Sequence, residues 1–169
     1  MSAKEYYKKY QADPFISPLG DRLIAEAYSL GPVHVLDFGC GTGKHLTFFN
    51  SVGICTIGID VSFMNILSAK IYNGLPFVVC ADESYLRNLC NCDVVITCSC
   101  LDHIEEIDGI IDEFKRISNK AVLLAETNDL VGQFYYQHKY ESYGFKKLNF
   151  EYTGEDGGNY YIWKWNKIS

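Results

Sequence analysis

Five short apolar runs, each followed by a longer stretch of mixed polarity, constrain this chain more than any other feature. They are VHVLDF (Val33 to Phe38), ICTIGID (Ile54 to Asp60), PFVVCA (Pro76 to Ala81), DVVITC (Asp93 to Cys98) and AVLLAE (Ala121 to Glu126). Strands apolar on both sides need cover on both faces, which is the situation of a parallel sheet in an α/β protein with crossover helices between strands. The fourth crossover has the clearest helical spacing. Ile104, Ile107, Ile111 and Phe114 follow i, i+3, i+7, i+10, Ile110 and Ile117 widen the stripe, and Asp102 and Glu105 have the spacing of a capping box. Upstream, Ser17 followed by Pro18 reads as an N-cap with proline at the first helical position, and Gly31-Pro32 stops that helix. After the fifth run come an aromatic helix of about Leu130 to Tyr143 and two strands, near Phe145 to Thr153 and Tyr160 to Lys167, joined in a hairpin by GEDGG. In the first of these, Leu148, Phe150 and Tyr152 alternate with Lys147, Asn149 and Glu151; in the second, Tyr161, Trp163 and Trp165 share a face. The expectation is one domain over residues 1–169, with an N-terminal helical segment to residue 31, a sheet core from 32 onward and no inserted substrate domain.

Composition narrows the function classes. At 48% hydrophobic and 21% charged, the 169 residues can bury a core. With 15 Lys+Arg against 21 Asp+Glu, a net charge of −6 argues against a broad nucleic-acid or anionic-membrane footprint. No apolar run is long enough to suggest a membrane span. The opening MSAKEYYKKYQADPF lacks the apolar stretch of a signal peptide, so the seven cysteines are expected to be reduced and the protein cytoplasmic. Cys90, Cys92, Cys98 and Cys100 look like two C-x-C pairs of a zinc site, but a strand between Cys92 and Cys98 separates them by roughly 20 Å, too far for one ion. No metal is expected.

The first run ends in Asp37-Phe38-Gly39-Cys40-Gly41-Thr42-Gly43-Lys44-His45, a glycine-rich turn at the carboxyl end of a parallel strand, where open α/β sheets bind ligands. The spacing is not that of a dinucleotide fingerprint, because Lys44 stands where the third glycine belongs, and it is not a P-loop. The second run ends in Asp60, placed to accept from ribose hydroxyls, and the third delivers Ala81-Asp82-Glu83, with a carboxylate that suits an exocyclic adenine amine. Asp37 has two readings, a cap for the following helix or a carboxylate that holds the loop or meets a ligand's ammonium.

Taken together, VLDFGCGTGKHL, GID, CADES and DVVITCSCLDHIEEI resemble, in order, the motifs of class I S-adenosylmethionine-dependent methyltransferases, over nearly the whole chain. The resemblance is to the small-molecule type. It implies a Rossmann-like, mostly parallel seven-stranded sheet of order 3-2-1-4-5-7-6 with an antiparallel C-terminal hairpin and helices on both faces. It implies S-adenosylmethionine as cofactor and S-adenosylhomocysteine as product. Cofactor contacts would come from Asp37, Gly39, Cys40, Gly41, Gly43 and His45, from Asp60 and Val61, from Asp82 and Glu83, and from Cys98 and Ser99. Ser118-Asn119-Lys120 departs from the family's usual Pro-Gly-Gly, in a loop away from the cofactor.

The implied reaction is an in-line displacement, and a neutral acceptor must also lose a proton. His103 is the candidate base, with a packed or surface histidine as the alternative. His34 and His138 read as structural. The tyrosines of Tyr6-Tyr7-Lys8-Lys9-Tyr10 either close the pocket or belong to a solvated helix. The expected partner is a small-molecule acceptor for an O, N or C methylation by a monomer or homodimer. Alternatives are an RNA- or protein-directed enzyme and an inactive cofactor-binding subunit of a partner. TCSCLDHI does not match the Asn/Asp-Pro-Pro-Tyr/Phe loop of amino-directed DNA methyltransferases.

Overall fold

The computed structural model describes residues 17–127, 135–155 and 157–168. Helix α1 spans Pro18–Ser29 and is followed by β1 (His34–Phe38), α2 (Lys44–Ser51), β2 (Cys55–Asp60), α3 (Phe63–Asn73) and β3 (Val78–Cys80). A 3-10 turn at Glu83–Asn88 leads to β4 (Cys92–Cys98), and a second one at Leu101–His103 precedes α4 (Asp108–Ile117). The chain then enters β5 (Ser118–Thr127), a 3-10 turn at Tyr140–Tyr143, β6 (Lys146–Thr153) and β7 (Asn159–Asn166). The seven strands form one sheet in the order β3-β2-β1-β4-β5-β7-β6. Pairing is parallel from β3 through β5, and β7 lies antiparallel to both β5 and β6. All five expected core strands and the hairpin are present in the expected order.

Side-chain alternation divides the core. On one face Leu36, Phe38, Val95, Val122, Leu124 and Trp163 meet Ile110, Ile111, Phe114 and Ile117 of α4. On the other, Val35, Val94, Ile96, Leu123 and Ile162 meet Leu19, Leu23, Ile24 and Ala27 of α1 and Phe49 of α2. Successive strand residues point to opposite faces, so strands apolar throughout feed both layers. In β6, Leu148, Phe150 and Tyr152 are half-buried against the α1 layer, whereas Lys147, Asn149 and Glu151 are exposed. Ser17 caps α1 by accepting from the Gly20 amide at 3.1 Å, with Pro18 in the first turn.

Two expectations are corrected. The fourth crossover helix begins at Asp108, not at His103, and its N-cap is Ile107. Asp102 and Glu105 therefore form no capping box, and Asp102 is fully buried. Ile104 has extended backbone, at φ −116° and ψ 124°, yet Ile104 and Ile107 still reach the α4-side core. The apolar spacing was right about the face and silent about the backbone that delivers it. The aromatic helix is likewise absent where described: residues 135–139 are irregular, and Tyr140–Tyr143 is a single 3-10 turn. The remainder of that expected helix, residues 130–134, lies outside the described residues. The local reason is tertiary bonding, since the Tyr136 amide donates to the Asp102 carbonyl at 2.7 Å and His138 Nε2 sits 3.0 and 2.9 Å from the Leu101 and Ile104 carbonyls.

Candidate active site

The carboxyl ends of β1, β2, β3 and β4 converge on a cavity of about 630 Å³, within the usual range for small-molecule and cofactor sites. Its floor is the glycine turn after β1. The Gly39 and Cys40 amides both donate to the Ile59 carbonyl, at 2.8 and 3.0 Å, which pins the turn to β2. Gly39 has φ +73°, and a Cβ there would stand 2.3 Å from Cys100 Sγ. Only glycine allows the β1 and β4 exits to come this close. Gly43 closes the turn at φ +79° as the N-cap of α2, where a Cβ would strike Leu75 at 2.2 Å.

Asp60, at the end of β2, grips the turn from the side. Its Oδ2 accepts from the Gly41 amide at 2.8 Å, and its Oδ1 accepts from the Ser62 amide at 2.8 Å and Asn65 Nδ2 at 3.2 Å. A carboxylate offers about four acceptor positions, so Asp60 retains capacity toward the cavity that it lines. Asn65, which the sequence reading did not single out, lines the cavity beside it. Val61, Cys98 and Ser99 line it as expected, together with Thr42, Lys44, Cys100 and Ile104.

The adjacent acids at the β3 exit have separated roles. Glu83 lines the cavity, whereas Asp82 is exposed and caps the following 3-10 turn, its Oδ1 accepting from the Ser84 amide at 3.0 Å and hydroxyl at 2.5 Å. Those bonds hold the Asp82 carboxyl below its usual range. Of the two acids, Glu83 is thus the one that lines the cavity, and Asp82 Oδ1 serves the local cap.

Asp37 is fully buried under the turn, and neither of its oxygens accepts a hydrogen bond among the described residues. It does not cap α2, which has no side-chain cap. Its near neighbour is the cavity-lining His45, with Nδ1 3.4 Å from Oδ2. Burial raises the Asp37 carboxyl above its ordinary value, and His45 partly offsets this. A buried carboxylate without donors, set behind a ligand cavity, fits a group that brings a cation or an ammonium.

On the opposite wall the chain leaves β4 through Ser99, at φ +50°, an uncommon conformation for a residue with a side chain. The Ser99 amide donates to the Ala125 carbonyl at 3.0 Å. His103 follows at the rim, its side chain 49% exposed and its ring 4.7 Å from that of Tyr135. Three thiols line the cavity, those of Cys40, Cys98 and Cys100. Burial pushes each upward, so they are protonated and poor nucleophiles. Among the described residues no group of His, Cys, Asp and Glu is arranged to hold a metal ion. Tyr6 and Tyr10 lie outside the described residues.

The strand order and the glycine turn at the end of β1 define a Rossmann-like fold of the methyltransferase type. The sequence profile of the methyltransferase-domain family matches residues 6–152, and the chain belongs to that family. No curated protein matches the sequence. Among solved structures, magnesium protoporphyrin IX methyltransferase (ChlM) from Synechocystis PCC 6803 with bound SAM superposes with a TM-score of 0.74 at 17% identity, covering 99% of this chain and 92% of that one. TehB from Haemophilus influenzae gives 0.74 at 18% identity, covering 96% of this chain and 66% of that one. A SAM-dependent methyltransferase from Archaeoglobus fulgidus gives 0.72 at 17% identity, covering 99% of this chain and 100% of that one. At these identities the likeness is one of fold. No described helix is long and apolar enough to cross a membrane.

Proposed function

We propose that this chain transfers the methyl group of S-adenosylmethionine to an oxygen, nitrogen or carbon of a small acceptor and releases S-adenosylhomocysteine. The observation that carries the reading is Asp60, a carboxylate bonded to the glycine turn through the Gly41 amide while still lining the cavity. Asp60 would hold the ribose, Glu83 with Val61 the adenine side, and Gly39, Cys40, Gly41, Cys98 and Ser99 the methionine region, with Asp37 and His45 answering its charged end. When bound, the cofactor supplies an electrophilic methyl on a sulfonium. The chain's own part is positioning and proton management. The turn and the Ser99 wall fix the two sides of the cavity, so an acceptor is held in line instead of meeting the cofactor by diffusion. His103 at the rim takes the proton that a neutral hydroxyl or amine must lose.

Calorimetric titration with S-adenosylhomocysteine tests the cofactor half: the intact protein should bind, and Asp60→Ala should bind at least about tenfold more weakly because it loses both the ligand contact and the grip on Gly41. Absence of binding by the intact protein refutes the reading. For the base, a methyl-transfer screen over small acceptors, RNA and cell extract should find activity that falls about a hundredfold in His103→Ala; full activity in that variant removes His103 from the mechanism.

A further inference from the structure

Helix α3 carries two apolar seams, and the fold uses only one of them. The inner seam is Ile66 and Ala69, buried with Leu46 of α2 and Val78 of β3. Asn73, at the end of the helix, braces the glycine turn, its Nδ2 donating to the Thr42 carbonyl at 2.7 Å. The outer seam is Met64, Leu67 and Ile71, at i, i+3 and i+7, the a-d-a spacing by which one helix packs along another. Phe63 and Tyr72 flank it. A helix that covers a sheet ordinarily has one apolar stripe and a polar outer face. On α3, by contrast, Phe63, Met64, Ile71 and Tyr72 are 64, 47, 62 and 73% exposed.

Charge is missing from the same surface. Between Asp60 and Asp82 the chain has no acid and a single base, Lys70, in a protein with 21 Asp+Glu and 15 Lys+Arg. Depletion of charge together with exposed Phe, Tyr and Met is the composition of an interface core. The opposite edge of the sheet differs. There β6 exposes Lys146, Lys147 and Glu151, the charged guard usual for a free edge.

We propose that α3 is the contact helix of a symmetric homodimer, packed antiparallel on α3 of a second copy about a two-fold axis at Leu67. The seam is self-complementary under that operation. Leu67 meets the partner's Leu67, and Met64 meets the partner's Ile71 in both directions, as an isologous interface requires. Lys70 lies at the margin, where its stem adds apolar cover and its ammonium stays in water. Two copies with a net charge of −6 each repel where their acids meet, and α3 offers a surface with none. The four exposed side chains present roughly 500 Å², so two copies bury roughly 1,000 Å², the size of a specific but weak association.

Sedimentation equilibrium of the full chain tests this. The wild type should move from the 19.2 kDa monomer toward twice that mass as its concentration rises from about 1 to about 100 μM. Met64→Glu or Ile71→Lys alone should weaken association at least about tenfold, since each sets an unpaired charge against an apolar side chain of the partner. An acid near the N-terminus and a base near the C-terminus suit the helix dipole, so both variants should keep the wild-type circular dichroism. If either fails to fold, Ile71→Ala removes the contact without adding charge and should still weaken association about threefold to tenfold. The double variant, Met64→Glu with Ile71→Lys, should recover the dimer, because the antiparallel register sets each introduced acid against the introduced base of the partner. A wild type that is monomeric at about 100 μM overturns the proposal, as does a dimer that the single variants leave intact. A double variant that stays monomeric overturns the two-fold packing about Leu67.

Discussion

At Gly39 the demands of backbone and neighbour coincide: φ is +73°, and the nearest obstacle to a Cβ is Cys100 Sγ at 2.3 Å. Gly39→Ala is expected to cost about 1–3 kcal/mol in urea unfolding, through left-handed strain and displacement of the β4 exit, and to abolish binding of S-adenosylhomocysteine. A residue at the end of its own strand is the most legible at this scale: Asp60, singled out in the sequence, lines the cavity. Asp82 and Glu83 are less legible, because both follow β3 directly and the direction of the next turn determines that Glu83 lines the cavity while Asp82 accepts from Ser84. Glu126 carried no signal beyond being the charged residue that closes an apolar run. Its partners Thr97 and Cys100 are 29 and 26 residues away in sequence and meet it only because β4 and β5 pair.

Among the elements, α4 shows how periodicity can be right about packing and wrong about conformation. Ile110, Ile111, Phe114 and Ile117 bury the helix against the sheet, with Phe114 fully inaccessible and its ring 5.3 Å from that of Phe38. Phe114→Ala should destabilise the protein by about 3–5 kcal/mol, read as a lower urea midpoint, because the cavity it leaves opens between a helix and the sheet and closes poorly. Ile104 and Ile107 extend the same stripe without belonging to the helix. A residue's burial depends on where its side chain ends, and an extended segment with a 3-10 turn can deliver it as well as an α-helix does. The segment 135–139 makes the same point, since its backbone bonds to Asp102 in place of its own preceding turn.

For the molecule as a whole, buried acids set the response to pH. Glu126 and Asp37 both have folded-state pKa values raised above the ordinary carboxyl range. The native state therefore holds protons that the unfolded chain has released, and stability falls as pH rises through the raised values. Asp93 works in the opposite sense. Burial opposes its ionisation, but bonds from the Val33 and His34 amides at 2.6 and 3.2 Å lower its pKa, so its contribution is present above 3.8 and lost as pH falls. As pH rises above the ordinary carboxyl range, urea midpoints should decline less in Glu126→Gln than in the wild type, since the variant lacks the one buried carboxyl of Glu126. By itself the sequence determined the strands and the glycine turn, because each depends on local patterning: apolar runs, turn residues and a fixed motif; the strand order followed from the family resemblance those motifs carry. Only the tertiary structure decided which acids line the cavity, where α4 begins and that Asp102 and Glu126 lie buried together, because those outcomes depend on contacts between segments far apart in the chain.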